Sequence, residues 1–188
     1  RGRQSVCTGL QSRRMTRLRF ATVAALALCA AALAFTLEAP PLVAQSPRGH
    51  LLVIGGGSRP DSIMSLFACL AGEANGKVLV FPQASERPEA GAEIAGEMKK
   101  LGLGQVAVVT AATPAEADTT DSLRLADGAT AVYFGGGDQS RITAVLRGTA
   151  LERRILQLYR EGAVIAGTSA GAAVMSRAAI FFLLTSSG

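Results

Sequence analysis

A chain of 188 residues, 49% hydrophobic and only 5% aromatic, is long enough for one core of helices and strands and short for two domains. Its formal net charge of +5 does not imply a nucleic-acid surface: six arginines fall in the first 20 residues, and from Gln45 onward 13 basic side chains stand against 13 acidic ones. A neutral body excludes a basic binding face, and with only Cys69 beyond residue 44 the body cannot form an intrachain disulfide.

The first 44 residues read as a leader. The chain opens with Arg1, and Met15 is a candidate start, followed by arginines and an apolar run over residues 21–35. That run has the length of a signal-peptide core and is short for a membrane span. Ala39-Pro40-Pro41 breaks it, and Leu42-Val43-Ala44 offers a small residue for cleavage. Export to the periplasm or the exterior is expected, with an uncleaved membrane anchor as the alternative. Residues 45–188 then form the folded domain.

Short apolar runs alternate with helical patterns from His50 onward. Residues 50–54 predict a buried strand that ends at Gly55-Gly56-Gly57. Asp61 is expected to cap a helix through Ala71, with Gly72 as its stop. Cys69 falls on the apolar side of that helix and is expected to be an inert core thiol. A strand over residues 77–81 and a helix over 88–101, closed by Gly102, come next. A strand over 105–110 precedes Thr113-Pro114-Ala115-Glu116, which has the form of a capping box with proline at the first helical position. Residues 129–134 predict a fourth strand running into Gly135-Gly136-Gly137-Asp138-Gln139. Helical periodicity resumes at Ile142, Val145 and Leu146, then at Leu151, Ile155, Leu158 and Tyr159. Residues 163–166 predict a fifth strand ending at Gly167. Strands without polar alternation, each followed by a helix, indicate a doubly wound α/β domain with a mainly parallel sheet and helices on both faces.

Loops at the carboxyl ends of such strands line the ligand crevice. Three small-residue turns fall there, and the last, Gly167-Thr168-Ser169-Ala170-Gly171, has the form G-x-S-x-G between an apolar strand and a helical start. That is the setting of a nucleophile elbow, in which a strained bend lifts the serine hydroxyl clear of the backbone and the following helix directs free N–H groups at developing negative charge. The plain reading is a tight turn that packs a helix on the sheet. The triple glycine at 135–137 does not meet G-x-G-x-x-G, and Asp138 disfavours a phosphate; such a turn can instead offer N–H donors to an oxyanion.

The run Ala131-Val132-Tyr133-Phe134-Gly135-Gly136-Gly137-Asp138-Gln139, followed about 30 residues later by Gly167-Thr168-Ser169-Ala170-Gly171-Ala172, resembles cyanophycinase and its dipeptidase relatives. Ile54-Gly55-Gly56-Gly57 and the strand from Val78 extend the likeness, which covers residues 50–176. The resemblance implies a class I glutamine-amidotransferase-like fold and a serine-peptidase mechanism. Ser169 would be the nucleophile, the N–H groups of Gly137 and Ala170 would hold the oxyanion, Gln139 would contact substrate, and Asp138 would brace the turn. The substrate would be aspartyl peptides or cyanophycin, an aspartate polymer carrying arginine. No metal or organic cofactor, no nucleic acid and, after leader cleavage, no membrane is implied; a homodimer is compatible.

A serine needs a base to accept its proton. The 19 residues after Ser169 contain no His, Asp or Glu, and the lone histidine, His50, begins the first strand at the end of the sheet away from Ser169. The tail from Arg177, with Ile180-Phe181-Phe182-Leu183-Leu184, departs from the resemblance. The chain is therefore expected to stop before its base and acid and to be inactive as written. An α/β-hydrolase esterase, which also uses G-x-S-x-G, and a non-catalytic binding relative are the competing readings.

Overall fold

The computed structural model describes residues 47–175; the expected leader and the tail from Arg177 lie outside them. Five strands build one parallel sheet: β1 (His50–Ile54), β2 (Lys77–Phe81), β3 (Gln105–Val108), β4 (Ala131–Phe134) and β5 (Val164–Thr168), in the spatial order β1-β5-β4-β2-β3. Between them run helices α1 (Asp61–Ala71), α2 (Ala90–Lys100), α3 (Pro114–Ala117), α4 (Thr120–Leu125), α5 (Gln139–Leu146) and α6 (Ala150–Glu161), and α7 (Ala170–Val174) follows β5.

The three central strands carry apolar side chains on both faces, as a sheet covered twice requires. Successive residues point to opposite sides. Val78 and Val80 therefore join Tyr133, Phe67 of α1 and Met98 of α2 in one core. Leu79 and Phe81 join Val132, Ile142 of α5 and Leu151 of α6 in the other. Phe67 meets Tyr133 edge-on at 5.7 Å between ring centroids, and truncating so buried a ring to Ala would cost about 3–5 kcal/mol. α1 and α2 cover one face and α3 to α7 the other, so the domain is doubly wound, as expected.

Several local expectations shift. Asp61 is the first helical residue of α1 rather than its cap; Pro60 occupies the cap position with extended backbone and no side-chain bond. Gly72 does stop the helix, at φ 95°. Cys69 is exposed, not in the core. The buried residues of α1 are Met64, Phe67, Ala68 and Ala71, and at 100° per residue that stripe turns Cys69 and Leu66 outward. β1 is not a buried strand either. Among the described residues β5 is the one strand it pairs with, leaving Leu51 40% and Val53 65% exposed. Thr113 accepts from the Glu116 N–H and Glu116 Oε2 accepts from the Ala112 N–H at 2.8 Å, a capping box shifted by one residue.

The winding sets where a crevice opens. From β2 the chain moves outward to β3, whereas from β4 it moves the other way to β5. The loops after β2 and β4 therefore lead to opposite faces, to α2 on one and α5 on the other, which puts the switch in winding direction at the carboxyl ends of these strands.

Candidate functional site

The three glycine turns predicted to meet do so at that end of the sheet. Parallel pairing of Ile54 with Thr168 and of Phe134 with Gly167 places the ends of β1, β5 and β4 side by side. The Ser169 N–H extends the ladder to the Ile54 carbonyl at 3.0 Å, and the Thr168 hydroxyl donates to the Gly55 carbonyl at 3.2 Å. The chain then reverses. Ser169 has φ 53° and ψ −114°, one of two non-glycine residues with positive φ among those described. A β-carbon in that region carries strain of about 1–3 kcal/mol. Ala173 N–H closes the first turn of α7 on the Ser169 carbonyl.

The neighbours of this bend have to be tiny. A β-carbon on Gly171 would collide with the carbonyl of Phe134, and one on Gly167 with the carbonyl of Gly171. The helix thus lies directly on β4 and β5, which is what forces Ser169 out of the bend. Ser169 is exposed, and its hydroxyl has no hydrogen-bond partner among the described residues. A β-carbon built on Gly136 would lie 3.4 Å from Ser169 Cβ, and one on Gly56 would lie 3.8 Å from Ser169 Oγ. Glycine turns on both sides therefore wall the hydroxyl and leave room for a flat group such as an amide to approach.

Gly137 stands at φ 138°, and a β-carbon there would collide with the Ala84 carbonyl. The loop after β2 is thus seated behind the triple-glycine turn, and the Asp138 N–H fixes it by donating to Ala84 at 2.8 Å. The Asp138 carboxylate accepts from the Ser140 N–H at 2.8 Å and caps α5. The Ser140 side chain first and then this N–H bond hold its pKa below the ordinary carboxylate value. Asp138 braces the turn. Gln139 follows as the first, exposed residue of α5, with its side chain uncommitted among the described residues. Neither the Gly137 nor the Ala170 N–H is donated to a described residue. Both stay open to an incoming acceptor.

His50 does not join this group. It is the exposed first residue of β1, paired with Val164 at the other end of the register from Thr168. A five-residue strand separates it from Ser169 by about 17 Å, far beyond proton-transfer reach of roughly 3 Å.

One network escaped the sequence reading. Arg59, two residues past the first glycine turn, donates to the Tyr133 hydroxyl at 3.0 Å and to Glu97 at 2.7 Å. It ties the loop beside Ser169 to β4 and α2. Burial raises the Tyr133 pKa while the Arg59 bond opposes that rise. Separations of 74 and 38 residues leave no spacing signal for such a tie; an arginine following a glycine run was the only trace.

Comparison with known proteins gives concordant matches. Residues 51–181 match the model of "Peptidase family S51". A cyanophycinase of Synechococcus elongatus is 30% identical over 138 residues, covering 71% of this chain and 43% of that protein. One of Geminocystis herdmanii is 32% identical over 133 residues, covering 68% and 49%. The chain spans about half the length of the curated relatives it matches. The crystal structure of a peptidase from an acI-B1 Actinobacterium superposes with a TM-score of 0.57 at 26% identity, over 70% of this chain and 58% of that one.

Proposed function

Because this chain belongs to peptidase family S51, we propose that it carries the nucleophile and oxyanion half of a serine peptidase, with Ser169 as the attacking group. The hydroxyl adds to the carbonyl carbon of a scissile amide, and the carbonyl oxygen gains negative charge. The open N–H groups of Gly137 and Ala170 stabilise that oxygen more strongly than the ground-state carbonyl, which is the differential binding catalysis requires. Collapse expels the amine, and water then hydrolyses the acyl ester on Ser169.

The observation that carries this reading is the bend at Ser169: a strained serine, walled by Gly56 and Gly136, at the end of a buried parallel strand. An exposed, unpartnered hydroxyl held at φ 53° serves no packing purpose. The cyanophycinase names of the relatives support aspartyl peptides or an aspartate–arginine polymer as substrate, with Gln139 at the mouth contacting it. The single histidine of the chain is at the wrong end of β1. Among the described residues none bonds to the Ser169 hydroxyl, so the 188-residue chain is expected to turn over little or no substrate.

External imidazole tests both halves of the proposal. In its presence the chain should acquire slow hydrolysis of an aspartyl-arginine peptide, and Ser169→Ala should abolish it. Unaided turnover by the wild-type chain, removed by Ser169→Ala, would contradict the missing base. Cleavage of p-nitrophenyl esters with no peptide cleavage would favour the esterase reading instead.

A further inference from the structure

The Gly55–Gly57 turn that walls one side of the Ser169 hydroxyl has little of its own to hold it there. All three glycines are exposed, and a β-carbon built on Gly55 or Gly57 would meet nothing within 4 Å. Three glycines in a row also give the backbone its widest choice of conformations. Upstream the turn is fixed. The Ile54 carbonyl takes the Ser169 N–H, and the Gly55 carbonyl takes the Thr168 hydroxyl. Gly56, Gly57 and Ser58 then form no hydrogen bond with a described residue.

Downstream, the first side chain that holds the chain is Arg59; the next buried one is Met64 of α1. The Arg59 guanidinium donates from Nη1 to the Tyr133 hydroxyl at 3.0 Å and from Nη2 to Glu97 Oε1 at 2.7 Å. Both acceptors stand on well-packed elements. Tyr133 is fully buried on β4, and Glu97 adjoins the fully buried Met98 on α2. A planar fork bonded at two points fixes direction as well as distance. Tyr133 also lies two residues before Gly135, in the strand that leads into the opposite glycine wall of Ser169. Arg59 thus links the segment carrying one wall to the strand carrying the other.

We propose that Arg59 is a positioning residue for the nucleophile: through Tyr133 it sets the spacing of the Gly56 and Gly136 walls, and with it the orientation in which Ser169 Oγ is held for attack. This role rests on the peptidase reading of Ser169. Arg59 makes no bond to Ser169 and acts through the turn alone. Without the link, Gly56 is free to leave the hydroxyl, which then spends less time in the attacking orientation. Misplacement of a reacting group by a fraction of its length lowers the rate of the chemical step, while the binding of a small electrophile beside it is left as it was.

The test is the rate at which a fluorophosphonate labels Ser169 of the 188-residue chain in the presence of imidazole. Oγ displaces fluoride from phosphorus, and imidazole takes the hydroxyl proton. Arg59→Met should lower the maximal labelling rate about tenfold and leave the half-saturating phosphonate concentration unchanged. Tyr133→Phe keeps the buried ring and removes only the acceptor, and should lower the rate about three- to tenfold. The double variant should be no slower than Arg59→Met, because both changes break one link. Arg59→Lys keeps the charge but not the fork, and should recover part of the loss. Thr149→Val, which removes a buried hydroxyl at the start of α6, should label at the wild-type rate, which separates positioning from general loss of stability. Wild-type labelling of Ser169 no faster than of the exposed Ser140 would remove the peptidase reading and this role with it. Rapid wild-type labelling with unchanged rates in folded Arg59→Met and Tyr133→Phe proteins, or equal slowing by Thr149→Val, would overturn the role of Arg59 alone.

Discussion

Adding one methyl group at two different glycines should move stability in opposite directions. At Gly171 the new β-carbon would fall on the carbonyl of Phe134, close to that of Gly135. Both are backbone, so no side-chain rotation relieves the overlap, and α7 has to withdraw from β4, loosening Ala170 and Met175, each 4% exposed. Overpacked core sites lose about 1–3 kcal/mol, and a clash with backbone belongs at the upper end. For a chain of this size that is a fall in Tm of about 6–12 °C at roughly 2–4 °C per kcal/mol. Gly96 lies inside α2, and a β-carbon there meets nothing within 4 Å. Gly96→Ala should therefore stabilise by about 0.5–1 kcal/mol through the lower entropy of the unfolded chain and the better helix propensity. Urea and thermal unfolding of the two single variants and the wild type decide the matter. A neutral Gly171→Ala with an equally neutral Gly96→Ala would refute the close seating of α7 that exposes Ser169.

Ser169→Gly removes the strain at φ 53° and should stabilise by about 0.5–2 kcal/mol, after allowance for the added chain entropy of glycine; a loss of stability in urea unfolding would show that the bend is unstrained. Thr149 is 1% exposed; its hydroxyl donates to the Leu146 carbonyl and accepts from the Glu152 N–H that opens α6. Thr149→Val should thus cost about 1–2 kcal/mol, read as a shifted urea midpoint at constant slope. Asp138 has its pKa depressed by Ser140, so its capping contribution is complete above the ordinary value of 3.8 and is lost as pH falls below it. Unfolding curves of wild type and Asp138→Ala should accordingly differ at neutral pH and converge toward pH 2; a pH-independent gap would remove the carboxylate from the cap.

The central strands and the bend were legible because their physics is local. Residues 78–81, 131–134 and 164–167 are apolar without alternation, as a strand covered on both faces requires. Gly167 and Gly171 flank a serine because the helix crosses two carbonyls there, and a motif of tiny residues is the trace such crowding leaves. What failed was set by neighbours distant in the chain. Nothing in His50-Leu51-Leu52-Val53-Ile54 tells an edge strand from a buried one; the exposure of Val53 depends on what lies beside β1. Cys69 reads as part of the apolar side of α1, yet the buried stripe is Met64, Phe67, Ala68 and Ala71, which excludes it. The Arg59–Tyr133 tie and the seating of Ala84 behind Gly137 join residues more than 50 positions apart, and only folding brings them together.

The account stands or falls on Ser169 being the side chain this domain presents for attack. Site-resolved mass spectrometry after treatment of the folded chain with a serine-directed fluorophosphonate, with and without imidazole, tests it most directly. The phosphonyl group should appear on Ser169 ahead of the other serines, and imidazole should accelerate its appearance there alone. Labelling spread evenly over exposed serines, with Ser169 no faster than Ser140 in either condition, would contradict it.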